Sequence, residues 1–262
     1  MKIEEVVFTR VGGLRTACVT REQLVRLITE KSSRVRFDKV HNKQVHPMLI
    51  FSTNGHSISI ANSNKEMGEL LNQADILHAD GQSVVTFSKY FSQHPIPERS
   101  ATTDMIHDIP QMSRTPLRHY LLGGKQQTVD KCAAILQRQY TNFAVAGAHH
   151  GYFSEQEEAE LVKQINETRP DVLWVGLGKP KEQLFALRQK PHLKVPVIIT
   201  CGGCFNFVTG DYKRAPLLLQ NLGLEWLHRA ITEPRKLLWR YVTTNPHAIF
   251  CVVKHRYRHQ PR

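Results

Sequence analysis

The chain has no apolar run near the roughly 18–20 residues that a bilayer-spanning helix needs, which excludes an integral helical membrane protein. Its opening, MKIEEVVFTR, carries two Glu and no apolar stretch of secretory-signal length, which argues against export. Cysteine is scarce: Cys18, Cys132, Cys201, Cys204 and Cys251 are irregularly spaced, so the expectation is a reduced, cytosolic protein. The lone CGGC at 201–204 has no second CxxC to complete a zinc site. It follows the strand-like VPVIIT and leads into FNFVTG instead of opening a helix, so its thiols are read as structural. No GxxxxGK[ST] is present, which disfavours a P-loop nucleotidase. GLGKPKEQ (176–183) lacks the third glycine of a dinucleotide fingerprint. AHHG (148–151) has no carboxylate at metal spacing and reads as loop histidines.

What is present is an ordinary soluble core, 41% hydrophobic and 22% charged, in a chain of 262 residues with a net charge of +12. The excess sits at the end. From Lys213 to Arg262 there are ten Lys/Arg against two acids, Glu225 and Glu233. Such a segment suits nucleic acid, an acidic membrane surface, a phosphorylated ligand or plain solvation. The interleaved Trp226, Trp239, Tyr241 and Phe250 favour a membrane interface.

Apolar runs alternate with helix-like stretches. HPMLIFSTN (46–54), RHYLLGG (118–124), FAVAGAHHGYF (143–153), DVLWVGLG (171–178) and VPVIITCGG (195–203) read as strands; 63–75, 126–140 and 154–168 read as helices, the last opened by a Ser cap. This alternation predicts a Rossmann-like α/β fold: a mostly parallel sheet with helices on both faces. The domain is expected over residues 1–210, with a basic helical C-terminal appendage over 211–262.

Ligands of open parallel sheets bind beyond the carboxyl ends of the strands. Those ends are rich in glycine and small polar residues, which suggests a phosphate-bearing ligand approached by backbone N–H groups. In ILHADGQSVV (76–85), Asp80 and Gly81 sit between two apolar runs, as a plain turn or as an active-site carboxylate. PERSATTD (97–104) is either a surface loop capping the next helix or an arginine clamp on phosphate.

Taken together, TNGHSISIA, ADILHADGQSVV, PERSATTD, YLLGG, GAHHGYF, RPDVLWVGLGKPKEQ, CGGCFNFVTGDYKRAP and LGLEWLHRAITEPRKLLWRY resemble, in order and approximate spacing, the WecG/TagA/CpsF glycosyltransferases of bacterial surface polysaccharides. The resemblance runs from about Leu49 to about Asn245; the first 45 residues carry little of it. It implies inverting transfer of a hexose or N-acetylhexosamine from a UDP-sugar to a polyprenyl-diphosphate-linked sugar, with no cofactor and no metal. No metal-binding DxD occurs here. It further implies Asp80 as the base for the acceptor hydroxyl, and partial burial is expected to raise its pKa towards that of a useful base. Asp75 is left as a structural carboxylate. Arg99 and the glycine turns would stabilise the departing diphosphate, joined by Arg229, Arg235 and Arg240. Substrate contacts are expected from Thr53, Asn54, Gly81, Gly123, Gly124, Gly176, Gly178, Pro180, Glu182 and Gln183, with Tyr152 and Asn206 near the nucleoside.

Three departures from the family pattern stand out: Glu182-Gln183 in place of Gln-Glu, Asn206 in place of Asp, and Thr102 in place of Gly. STNGHS resembles the TLNAHS-like openings of the family's exopolysaccharide glucosyltransferases more than it resembles the TPNAEH type, so glucose is the expected donor sugar. N-acetylmannosamine or its uronic acid is the alternative. The implied location is the inner face of the cytoplasmic membrane, peripherally, with no nucleic acid bound and a homo-oligomer left open.

Overall fold

The computed structural model describes residues 2–40, 45–221 and 223–258. Six strands form one parallel sheet: β3 (Met48–Thr53), β4 (Ile76–Ala79), β5 (Leu117–Gly123), β6 (Phe143–His149), β7 (Val172–Gly176) and β8 (Val197–Thr200), in the order β4-β3-β8-β7-β5-β6. Every pairing within it is parallel. The predicted strands and the α/β class are therefore observed.

The strands are apolar throughout because both faces are covered. Along β3, Ile50 packs into one core with Trp174 and Ile199, while Leu49 and Phe51 pack into another on the opposite face. The first face is closed by α1 (Arg21–Val40), α5 (Thr102–Met112), α6 (Gln126–Gln139) and the short α9 (Cys204–Val208). The second is closed by α2 (Gly55–Ser63), α3 (Lys65–Asn72), α4 (Gln82–Phe91), α7 (Glu155–Thr168) and α8 (Lys181–Gln189). Connections heading towards the β4 edge place their helices on the second face, and α5 and α6, on connections heading towards the β6 edge, lie on the first. A single crossover hand requires that segregation.

A hairpin precedes the sheet: β1 (Phe8–Val11) and β2 (Leu14–Ala17), antiparallel about Gly12-Gly13. Both glycines have positive φ, 56° and 86°, as a tight two-residue hairpin turn demands. A Cβ on Gly12 would lie 2.4 Å from Ile58, so the turn is seated directly on α2.

Beyond residue 210 come α10 (Leu217–Asn221), α11 (Glu225–Thr232) and α12 (Pro234–Arg258). Proline at the first position of α12 costs no hydrogen bond. The far half of α12 lies along α2: Ala248, Cys251 and Val252 join the second core, and His247 Nδ1 is 2.9 Å from Ser59 Oγ. Asp75 is structural, accepting from the Leu49 N–H at 2.7 Å and from Lys190 Nζ at 3.0 Å. No described helix is long and apolar enough to cross a membrane.

Candidate active site

The register pairs Thr53 with Ala79, so Asn54 and Asp80 leave adjacent parallel strands side by side. The Asp80 and Gly81 N–H groups both donate to the Thr53 carbonyl, at 2.9 and 3.2 Å. A Cβ on Gly81 would lie 3.0 Å from Asn54 Cβ, so glycine lets the two turns meet. The ILHADG stretch is thus both a turn and the seat of a carboxylate.

That carboxylate is fully engaged. Asp80 Oδ1 accepts from the Thr102 N–H at 3.0 Å and its hydroxyl at 3.3 Å, while Oδ2 accepts from Asn54 Nδ2 at 3.2 Å. Thr102 opens α5, so the carboxylate caps the positive end of an eleven-residue helix. Burial pushes the carboxyl up, but the His78 ring, the Arg99 guanidinium, the Thr102 N–H and the Lys179 ammonium outweigh it and hold the group below its ordinary 3.8. This corrects the expectation of a raised pKa: the neighbours that place the carboxylate also favour its charged form. Beneath it, His78 is wholly buried, with Nδ1 2.6 Å from the Ser100 carbonyl. Burial holds its pKa down, to about 4.

Arg99 is on the other side of Asp80. Its Nε donates to the Asp80 carbonyl at 2.7 Å and its Nη2 to Glu225 Oε2 at 2.7 Å. Glu225 also lies 3.6 Å from Arg214 Nε, and Arg214 pairs with Asp104. This Asp104–Arg214–Glu225–Arg99 ladder fastens α11 to the end of β4. PERSATTD therefore both opens α5, through Thr102, and presents an arginine to the strand end.

The ends of β5, β7 and β8 are tied together by backbone packing. A Cβ on Gly123 would lie 2.3 Å from the Gly176 carbonyl, and one on Gly176 2.8 Å from that of Gly202. Those two glycines serve strand contact. Glu182 is 1% exposed and accepts from the Gly178 N–H at 3.0 Å and the Gly202 N–H at 2.9 Å. Gln183, also buried, donates to Glu182 at 3.1 Å. The pair thus braces the loops from beneath. Thr53 is buried too, its hydroxyl unpartnered. Gly124, Gly178 and the exposed Pro180 remain at the open surface of the turns.

Lys179, not anticipated from the sequence, reaches from this loop to β3. Its Nζ donates to the Ser52 carbonyl at 2.8 Å and to Ser57 Oγ at 2.6 Å. Burial and the Arg240 charge lower its pKa, and Asp80 and Glu182 oppose them. Arg240 and Lys179, after burial itself, likewise hold His56 down to about 4. α12 therefore carries Arg240 near enough to Lys179 and to His56, at the start of α2, for its charge to act on both. Arg229 lies over the Phe207 ring, 5.3 Å from its centroid, with Nε buried and unpartnered; this places it against α9, which carries Asn206. Arg235 is exposed on the first turn of α12, and Tyr152 is 72% exposed beyond β6. Neither is brought to Asp80.

Cys204 opens α9, contrary to the reading that CGGC does not start a helix. Its thiol and that of Cys201 are buried, unbridged and pushed well above the ordinary value by burial, which leaves them chemically quiet. Among the described residues no three His, Cys, Asp or Glu side chains are grouped to hold a metal ion. Glu225 and Lys179 were missed because each acts across the fold. The only local signals were one of two acids in a basic segment and a lysine directly after a strand-end glycine.

A carboxylate held ionised at a parallel strand end, within reach of the Arg99 and Lys179 charges, suits removal of a proton from a hydroxyl while a diphosphate departs. The model of the glycosyl transferase WecG/TagA/CpsF family matches residues 9–262. Among curated relatives, the N-acetylglucosaminyldiphosphoundecaprenol N-acetyl-beta-D-mannosaminyltransferase of Staphylococcus aureus strain NCTC 8325 is 28% identical over 197 residues, covering 75% of this chain and 76% of that protein. Its counterpart from strain MRSA252 is 27% identical over the same coverage. With site geometry and a match across nearly its whole length in accord, the chain belongs to the WecG/TagA/CpsF family of glycosyltransferases.

Proposed function

We propose that the chain transfers N-acetylmannosamine from its UDP-linked donor to a sugar carried on polyprenyl diphosphate, with inversion and without a metal ion. The relatives' names favour this sugar over the glucose suggested by STNGHS. The observation that carries the chemistry is the Asp80 carboxylate, kept ionised between Thr102 and Asn54. The acceptor hydroxyl attacks the anomeric carbon, its proton passes to Asp80, and the bond to the UDP oxygen breaks. UDP leaves with the electron pair. Arg99, Arg229 and Arg240 are assigned to its charge; Tyr152, Asn206 and the open turns at Gly124 and Gly178 are assigned to the donor. Arg235, exposed beside the apolar side chains described next, is assigned to the lipid surface.

Membrane attachment belongs to the same reading. On α12, Leu238, Val242, Ile249 and Val253 are exposed at helical spacing, with Trp239 at 77% and Phe250 at 61% exposure beside them. An exposed apolar stripe on a basic helix suits the headgroup boundary of an anionic bilayer, where a lipid-linked acceptor would be found.

The test is transfer from UDP-N-acetylmannosamine to N-acetylglucosaminyl-diphosphate-polyprenol with EDTA present, run beside UDP-glucose and UDP-N-acetylmannosaminuronate. Turnover with the first donor alone is expected. Asp80→Asn should lose about 10²–10⁴-fold in kcat while still binding UDP. Full turnover by a folded Asp80→Asn enzyme would remove the base assignment, and turnover with glucose alone would overturn the donor.

A further inference from the structure

The partners of Lys179 form a chain with a direction. An ammonium has donors only, so Ser57 Oγ accepts from it and must turn its own hydrogen to Asn54 Oδ1, at 3.1 Å, or to the Ser52 carbonyl, at 3.2 Å. The Ser57 N–H also donates to Asn54 Oδ1, at 3.0 Å. With Oδ1 so occupied, the Asn54 amide presents its NH₂ to Asp80 Oδ2 at 3.2 Å. The orientation of an amide follows from its network, and here every donor from Lys179 onward can point towards Asp80.

We propose that Lys179 is a positioning residue for the transfer: through Ser57 and Asn54 it fixes the facing of the Asn54 amide and so holds the Asp80 carboxylate where it takes the acceptor's proton. This rests on the reading of Asp80 as the base. The remaining groups around Asp80 act from other elements: His78 from beneath on β4, Arg99 from the loop before α5 and the Thr102 N–H from α5 itself. Around Lys179 the charged groups are Asp80 itself, at the end of β4, with Glu182 on α8 and Arg240 on α12, and His56 faces both cations from the start of α2. No described carboxylate lies within ion-pair distance of Lys179 Nζ. Its two described partners are neutral acceptors, and one of them leads to the base.

The experiment compares the full chain with Lys179→Met, Lys179→Arg and Ser57→Ala. Transfer is followed from pH 4 to 8, and the Asp80 carboxyl is titrated by carbon-13 NMR in aspartate-labelled protein. Lys179→Met is expected to lower kcat by roughly a hundredfold, to change KM for the donor less than about threefold, and to move the Asp80 titration and the acid limb of the rate upward together. Ser57→Ala should shift both the same way, and Lys179→Arg should recover part of the loss. Should Lys179→Met fail to fold, Ser57→Ala, which keeps the lysine, carries the test. Lys179→Met also removes a charge that acts on Asp80 directly, so the decision rests on Ser57→Ala, which keeps that charge: an unmoved Asp80 titration in folded Ser57→Ala overturns the proposal. A titration that moves in a protein whose wild type transfers no sugar would instead overturn the base reading and leave the hydrogen-bonded chain standing.

Discussion

Arg99 and Glu225 meet across 126 positions of sequence: Arg99 Nη2 lies 2.7 Å from Glu225 Oε2, with both side chains largely shielded at 18% and 14% exposure. The same guanidinium holds the Asp80 carbonyl. The segment that brings Arg229 and Arg240 to the strand ends is therefore anchored on the residue beside the base.

Removing one partner of a shielded pair strands the other charge. Glu225→Ala should therefore destabilise by about 2–4 kcal/mol and open the joint between α9 and α11 to limited proteolysis. Glu225→Gln keeps one acceptor and should lie between. Transfer should fall more steeply than stability, because the arginines of the appendage lose their placement. A protease pattern identical to wild type in Glu225→Ala would contradict this.

Glu182 should behave as a brace. Glu182→Ala leaves the half-buried Gly178 and Gly202 N–H groups without their acceptor, a loss towards the low end of the about 1–3 kcal/mol that each unsatisfied buried donor costs. A fall in Tm of several degrees is expected in thermal unfolding, with weaker UDP binding as a consequence. Loss of UDP binding at an unchanged Tm would mean that Glu182 touches the ligand directly.

Half-buried His56 and wholly buried His78, with wholly buried His119 held by burial still lower at about 3, set the acid side of stability. His56 and His78 titrate at about 4 in the folded chain and at 6.5 in the free residue. Between those values the unfolded chain binds more protons, so stability falls as the pH drops from 6.5 towards 4. The Asp80 contribution is present above its free value of 3.8 and is lost only below it. Urea midpoints measured at pH 7.5, 5.5 and 4.5 should decline in order; a flat series would contradict the neutral, buried state of these rings.

The α12 stripe should bind anionic vesicles. Trp239→Asp together with Phe250→Asp places two charges on exposed positions, so folding is expected to survive. Cosedimentation with phosphatidylglycerol vesicles should drop about tenfold or more, since each buried large apolar side chain contributes about 1.5–3 kcal/mol. Equal partitioning of the double variant and wild type would remove this face as the attachment surface.

The parallel sheet was legible because strands covered on both faces are apolar at every position, as in MLIF and VLWV. The hairpin went unread although its Gly12-Gly13 turn was in plain view: flanking strands of four residues carry too short a pattern. In the site, Asp80 was legible as a polar residue where an apolar run stops and Arg99 as the arginine of PERSATTD, each level with a plain loop reading until the resemblance favoured a site role. Glu182 and Gln183 were also singled out, as ligand contacts, whereas their burial beneath the loops makes them supports. Exposure is a property of the packed chain, and no local motif contains it.

The sequence by itself determined the α/β layering, the placement of Asp80 at a strand end and the concentration of positive charge in the last fifty residues. Periodicity and composition are local, and they act before any long-range contact exists. Only the tertiary structure decided that Asp80 is held ionised, that Glu225 locks Arg99, that Arg240 comes back to α2 and that Lys179 reaches Asp80 through Ser57 and Asn54. Those outcomes depend on distances of a few ångströms between residues far apart in the chain, because hydrogen bonds and shielded charges act only where the fold brings their partners into contact.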